Sequence, residues 1–322
     1  MDFSYLGNRL SKDIEGELSE YLPDYPDIGS LAWIVANTVI TEVEKNGSNI
    51  LPMDGIDPEI YLLLLAREYS KKISERVFKL KNEAKGFFQS NYKILLLVGA
   101  GLSYEAGMPL TRQLKAILKA IGIKTTDDRN LNEAFKTVKT NPSLDIEFKK
   151  RFRNLINQKV CENSSHTLIA QKFLDGSMQE IFCLNWDNLI EQSYNKLNGS
   201  YPIKKISSED DCPQINDSFI HALWKLNGDV DEIDTTWIYP GENGRVFNGL
   251  DKYLNFLFKQ TEKTFISLAV GYSESDENIN NSIVTRIEDH SAFFRIGMDM
   301  RLFNKYENYF LVSAQWILPQ LL

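Results

Sequence analysis

Four short phrases in this chain carry residue types that can hold and transform a nucleotide. Gly99-Ala100-Gly101-Leu102-Ser103-Tyr104-Glu105-Ala106-Gly107-Met108-Pro109 follows the apolar run Ile94–Val98. Glycines there let the backbone approach a ligand closely, and a helix opening behind them offers unpaired N–H groups to an anion. The spacing is not the G-x-G-x-x-G of dehydrogenases, and a Gly-x-Gly pair also serves tight turns that bind nothing. Asn185-Trp186-Asp187 follows the run Ile181–Leu184. Asn185 suits an amide or a sugar hydroxyl, and Asp187 suits a ribose or a helix N-cap, the cap being favoured when the phrase is taken alone. A third phrase is Trp224-Lys225-Leu226-Asn227-Gly228-Asp229; the fourth is Gly271-Tyr272-Ser273-Glu274-Ser275-Asp276, where Ser275 or Asp276 is also a candidate N-cap.

The elements that must position these phrases are short apolar runs, as expected of strands buried on both faces: Ile94–Val98, Ile181–Leu184, Phe219–Leu226, Phe265–Val270 and, more weakly, Ala292–Ile296. Helical segments at 109–121, 163–175, 187–197, 248–262 and 276–288 alternate with them. That alternation predicts an α/β fold, a Rossmann-like mainly parallel sheet with helices on both faces, whose strand ends carry the ligand edge. Residues 1–91 read as a helical leader, with helices near 9–21, 29–45 and 57–90 broken by the Pro-containing stretches 22–29 and 51–58; assembly layer and cap are both open readings. The domain that follows spans 92–322. It contains a charged, mostly helical insertion at about 125–160, for which a lid over the site is one reading, and an apolar tail, 306–322, that reads as a packed terminal element.

Composition narrows the classes. A net charge of −8, from 36 basic and 44 acidic residues, gives no broad surface for nucleic acid or an anionic membrane. The basic clusters Lys71-Lys72, Lys149-Lys150-Arg151 and Lys204-Lys205 read as solvated faces. Cys161, Cys183 and Cys212 are widely spaced, which excludes a four-cysteine zinc site within the chain and any disulfide framework; Cys183 reads as packing. No apolar segment reaches membrane-span length and residues 1–20 are too polar for a signal peptide, so the expected location is the cytoplasm.

Taken in order, Gly-Ala-Gly-x-Ser-x-x-x-Gly-x-Pro, Asn-x-Asp-x-Leu, Lys-Leu-x-Gly and Gly-Tyr-Ser-x-x-Asp resemble the sirtuin-like family over about residues 92–300. The likeness is closest to its prokaryotic antiphage-defence branch, whose members consume NAD. The resemblance implies that Gly99, Ala100, Gly101 and Ser103 line the NAD pyrophosphate and nearby ribose. It implies that Asn185 and Asp187 face the nicotinamide and its ribose, and that Gly271 and Ser273 contact the adenosine half. Arg112 stands at the place of a family arginine, although Leu110-Thr111 departs from the deacylase pattern. The zinc module of deacylating members is missing, since only Cys212 lies in its interval, so a lysine deacylase is disfavoured. The resemblance further implies a homo-oligomer and a partner such as a HerA-type ATPase.

Asn227 stands where the family carries the His that acts as general base on the nicotinamide ribose. Asn can hold a ribose by hydrogen bonds but accepts no proton near neutral pH. No other histidine takes its place. His221, six residues earlier, is roughly 20 Å away at strand rise. His166, at a helix start, reads as structural, and His290 reads as a helix C-terminal contact. Three readings of Asn227 remain: a homologue that binds NAD without turnover, a slow NAD hydrolase, or a deliberately inactivated form. The expected function is NAD hydrolysis to nicotinamide and ADP-ribose in antiphage defence; the alternative is a non-catalytic nucleotide-binding scaffold or sensor.

Overall fold

The computed structural model describes residues 3–46, 58–88, 92–104, 106–109, 111–124, 131–159, 161–198, 202–212, 220–239, 242, 246–259 and 265–322. Three long helices open the chain, α1 (Phe3–Tyr21), α2 (Ile28–Asn46) and α3 (Pro58–Phe88). The strands that follow are β1 (Lys93–Val98), β2 (Met178–Cys183), β3 (Lys205–Ile206), β4 (Leu223–Lys225), β5 (Phe265–Val270), β6 (Ala292–Gly297) and β7 (Tyr309–Leu311). Between β1 and β2 run α4 (Ala100–Tyr104), α5 (Thr111–Ala120), α6 (Leu131–Thr140), α7 (Pro142–Lys159) and α8 (Ser164–Leu174). Later helices are α9 (Leu189–Asn198), α10 (Asn248–Lys259), α11 (Glu277–Ile279), a π-helical turn at Asn280–Val284, α12 (Thr285–His290), α13 (Met300–Lys305) and α14 (Ala314–Leu321).

The strand order is β3-β4-β2-β1-β5-β6-β7, and the pairings β1–β2, β1–β5, β2–β4 and β3–β4 are all parallel. This is the expected mainly parallel α/β sheet. Its order reverses between β1 and β5, where a doubly wound sheet opens a ligand crevice. Both faces of β1 are buried, as its unbroken apolar run requires. Leu95 and Leu97 join Phe182, Trp224, Tyr253 and Phe265 in one core, while Ile94, Leu96 and Val98 are buried on the other face.

Two compact units result. The first joins residues 1–86 to 296–321, so the tail assigned by sequence to the nucleotide-binding domain packs with the helical leader instead. The cause is local. Arg76 of α3 donates to the carbonyls of Phe303 (2.7 Å) and Tyr306 (2.9 Å), and Trp316 donates to the carbonyl of Asp24 (2.9 Å). The second unit, residues 87–295, holds the four phrases and the insertion.

Other expectations shift in detail. The strand expected at 219–226 shrinks to Leu223–Lys225; residue 219 lies outside the described residues. His221 takes a φ of 55°, and the N–H groups of His221 and Ala222 donate to the buried Glu180 carboxylate at 2.9 and 3.0 Å, which keeps them out of the ladder. The helix expected at 109–121 begins at Thr111, and α4 fills the glycine turn itself.

That turn meets the β5 turn backbone to backbone. A Cβ on Gly271, whose φ is +65°, would lie 2.3 Å from the Leu102 nitrogen. We expect Gly271→Ala to lower the urea midpoint well below that of Gly122→Ala. Gly122 also has positive φ but has open space around its Cβ position, so its variant carries only a left-handed strain of about 1–2 kcal/mol. Equal midpoints would contradict the close approach.

Candidate active site

The register sets the site. Val98, Val270, Cys183 and Lys225 form one row across β5, β1, β2 and β4. Ladder bonds carry on one residue further, with Gly99 N–H donating to the Val270 carbonyl (2.9 Å), Leu184 N–H to that of Val98 (2.9 Å) and Leu226 N–H to that of Cys183 (2.8 Å). Asn185 and Asn227 are both the second residue beyond that row, on neighbouring strands. Asn227 Nδ2 donates to the Leu184 carbonyl at 3.1 Å, which ties the two ends together.

Ser103 is fully buried, and Asn185 Nδ2 donates to its hydroxyl at 2.9 Å. The hydroxyl in turn lies 3.3 Å from His166 Nε2. His166 Nδ1 lies 2.8 Å from Asn163 Oδ1, an oxygen identified by the Ser165 and His166 N–H groups that donate to it. The Asn163 N–H donates to His166 Nδ1 at 3.3 Å and closes the capping box of α8. Burial pushes His166 below its ordinary pKa against the opposing pull of Asp187. His166 thus caps α8, as the sequence suggests, and also orients Ser103.

The outcome for Asn185 is a defined polarity: its N–H is committed, and its Oδ1 is buried without a partner. Asp187, 3 % exposed, accepts the Leu189 N–H on Oδ1 (3.2 Å) as a cap and leaves Oδ2 unpartnered. Asn227 Oδ1 is the third such oxygen. Buried acceptors without donors are costly, about 1–3 kcal/mol each. Three of them around one pair of strand ends describe a place built to receive hydrogen-bond donors.

The glycine turn behaves otherwise than its sequence suggests. The N–H groups of Gly99, Gly101 and Leu102 donate to the carbonyls of Val270, Gly271 and Gly99, so these three are not offered to an anion. Cβ atoms on Gly99 and Gly101 would strike Gly271 at 2.5 and 2.7 Å; packing between the turns accounts for both glycines. Ala100 is exposed. Ser273 is exposed with its hydroxyl 2.9 Å from that of Ser275, and Asp276 is the N-cap of α11. Glu274, at a φ of 54°, is pinned by Arg295 at 2.7 Å. The side chain of Arg112 lies outside the described residues.

Residues the sequence reading passed over hold the site from beneath. Lys225, fully buried, donates to the Asp187 carbonyl and lies 3.4 Å from Glu191 and 3.8 Å from Asp229. Lys205 bridges Asp229 (3.1 Å) and Glu232 (2.8 Å), so it is not part of a solvated cluster. Burial alone would lower the Lys225 pKa, but the surrounding Glu191, Asp229 and Asp187 hold it above the ordinary lysine value. Burial pushes Glu191 up to about 7 despite Lys225. A charged residue inside an apolar strand, two positions before Asn227, was the signal available. The loop beyond is closed by Ile238 N–H donating to the Asn227 carbonyl (3.0 Å), and Trp237 stacks on Trp186 at 4.5 Å. Phe152 of α7 sets its edge against both indoles, which makes the insertion a packed wall beside the site.

His221 and His290 lie elsewhere. His221 stacks on Phe173 at 3.9 Å, and His290 ends α12, its Nδ1 2.8 Å from the Arg286 carbonyl. Lys225→Met leaves the buried Glu191 without its counter-charge and Asp229 with Lys205 alone, and we expect a loss of about 3–5 kcal/mol by chemical denaturation near pH 8. Without Lys225 the pKa of Glu191 climbs further above its unfolded value, so the variant's deficit shrinks as pH falls and Glu191 is protonated in both proteins. A deficit that is constant from pH 8 to 5.5 would contradict this arrangement.

Comparison with known proteins follows the same lines. Residues 179–295, about a third of the chain, match the family model of the SIR2-like domain. No curated protein matches the chain. Among solved structures, a Sir2 homologue in complex with NAD is 15 % identical with a TM-score of 0.49, the match covering 75 % of this chain and 91 % of that one. A sirtuin from a study of substrate affinity is 13 % identical at a TM-score of 0.47, with 71 % and 93 % covered. A Sir2 bound to acetylated peptide is 13 % identical at 0.47, with 73 % and 93 % covered. At those values no residue role follows from the likeness. The stretch that carries Asn185, Asp187, Asn227, Gly271 and Ser273 is the stretch that matches the SIR2-like domain.

Proposed function

We propose that this chain binds NAD and hydrolyses its nicotinamide–ribose bond to nicotinamide and ADP-ribose, as an effector of prokaryotic antiphage defence. The observation that carries the reading is the set of three buried oxygens without partners: Asn185 Oδ1, Asp187 Oδ2 and Asn227 Oδ1. The nicotinamide half of NAD presents the donors that such a set lacks, a carboxamide NH₂ and ribose hydroxyls. The SIR2-like match over these residues and the crevice position at the β1–β5 reversal support the same ligand. In this reading Ser103 and His166 fix the Asn185 amide, and Lys225 fixes the Asp187 backbone. The Gly99–Ser103 and Gly271–Ser273 turns give the crevice its shape. Further copies of the chain, a partner ATPase of the HerA type and a cytoplasmic site of action belong to the same proposal.

Asn227 Nδ2 is committed to a carbonyl and its Oδ1 is an acceptor, so it suits a ribose hydroxyl but takes no proton. That favours slow turnover over fast, and it keeps a non-catalytic NAD-binding scaffold as the second reading.

The test is release of free nicotinamide from NAD by the full chain. We expect slow release, lost in Asn185→Ala and raised by about 10²–10⁴-fold in Asn227→His, the usual worth of a general base. Binding of NAD with no release by either the unsubstituted chain or Asn227→His would favour the scaffold, and no binding would reject both readings.

A further inference from the structure

Hydrolysis of NAD to nicotinamide and ADP-ribose sets free one proton, from the water that adds to the ribose. Asn227 cannot take it. The histidines are engaged elsewhere: His221 on Phe173 and the Gln179 carbonyl, His290 on Phe258 and the Arg286 carbonyl, and His166 on Asn163 and Ser103. Of the carboxylates around Lys225, Asp229 is held by Lys205 and by the Asp231 N–H (2.8 Å), and Glu191 faces the Lys225 ammonium. Asp187 differs in that its carboxylate faces no cation within ion-pair distance among the described residues, whereas Glu191 Oε1, also without a hydrogen bond, lies 3.4 Å from the Lys225 nitrogen. Asp187 Oδ1 caps α9, while its Oδ2 is buried with no hydrogen bond, two residues beyond Asn185 in the loop that Asn227 is tied to.

We infer that Asp187 is the general base of this site, its Oδ2 taking the proton of the attacking water. The inference rests on the NAD-hydrolysis reading. In the step, the water oxygen bonds to the anomeric carbon and the carbon–nitrogen bond to the pyridinium breaks. That bonding pair goes to the ring nitrogen, which leaves as neutral nicotinamide, and the water's proton passes to the Asp187 carboxylate. The charged and titratable groups that sense Asp187 are Lys225 of β4, Glu191 of α9, His166 of α8 and Cys183 of β2. Lys225 donates to the carbonyl of Asp187 and leaves its Oδ2 free.

The experiment compares the full chain with Asp187→Asn and Asp187→Ala, following nicotinamide release from NAD across pH. Asp187→Asn keeps the capping oxygen, and its thermal melt checks that it folds. We expect its kcat to fall by about 10²-fold or more, beyond any change in KM, and the shape of the pH profile to change. Azide attacks as an anion and needs no base, so added azide should restore NAD cleavage in Asp187→Ala. A folded Asp187→Asn with undiminished kcat overturns the inference and leaves NAD hydrolysis standing. So does a loss that azide does not relieve and that leaves the shape of the pH profile unchanged, which marks a positioning role. Turnover by Asn227→His alone, with none by the unsubstituted chain, also overturns it while supporting the site as an NAD hydrolase. No release by either of these proteins rejects the hydrolase reading, and this inference with it.

Discussion

The site depends on a single buried ammonium. Lys225 lies on β4 with no solvent contact, and three segments meet at its nitrogen: the β2–α9 loop through the Asp187 carbonyl, α9 through Glu191 and the loop after β4 through Asp229. An isolated charge in such a place is prohibitively unfavourable, so the carboxylates must stay where they are. Their positions set those of Asp187, Asn227 and the turn at Gly228. That turn is locked from the other side, since a Cβ on Gly228 would lie 2.3 Å from the Thr236 carbonyl oxygen. Lys205 extends the network outward to Glu232 and joins β3 to it. The two-residue strand β3 is thereby held by charge as well as by its ladder.

Above this base the two carboxamides are arranged alike. The amide N–H of Asn185 goes to Ser103 and that of Asn227 to the Leu184 carbonyl, so that both carboxamide oxygens, like Asp187 Oδ2, are left buried without a partner. His166 Nε2, 3.3 Å from the Ser103 hydroxyl, is the third member of this buried chain. Three unpartnered acceptors at the strand ends, with the unpartnered indole N–H groups of Trp186 and Trp237 beside them, favour a ligand face that carries both donors and an acceptor. The glycine turn, three of whose N–H groups are spent on Val270, Gly271 and Gly99, adds close packing against the β5 turn.

Much of this was legible in the sequence. The runs Ile94–Val98 and Phe265–Val270 read as doubly buried strands because every position but Ser267 is apolar, and helices between strands force parallel crossovers. Asn185, Asp187 and Asn227 were legible because polar residues directly after such runs fall on one edge of the sheet. What escaped depends on long-range partners. β3 is too short for any period to show, and the residues before Leu223 leave the ladder only because Glu180, 41 residues earlier than His221, takes their N–H groups. That Gly99 and Gly101 also pack against Gly271 could not be read from the sequence, because that partner lies 172 and 170 residues away. Residues 296–321 continue the sheet in sequence, yet their carbonyls are claimed by Arg76 in the helical leader.

The account stands on the claim that the three orphaned oxygens receive the nicotinamide half of NAD. Calorimetric titration of the full chain with NAD, with ADP-ribose as the comparison, addresses it directly. The account predicts saturable binding of NAD that weakens sharply in the Asn185→Ala, Asn227→Ala double variant, and weaker binding of ADP-ribose, which lacks the carboxamide. Absence of NAD binding, or binding that is indifferent to both substitutions, would contradict it.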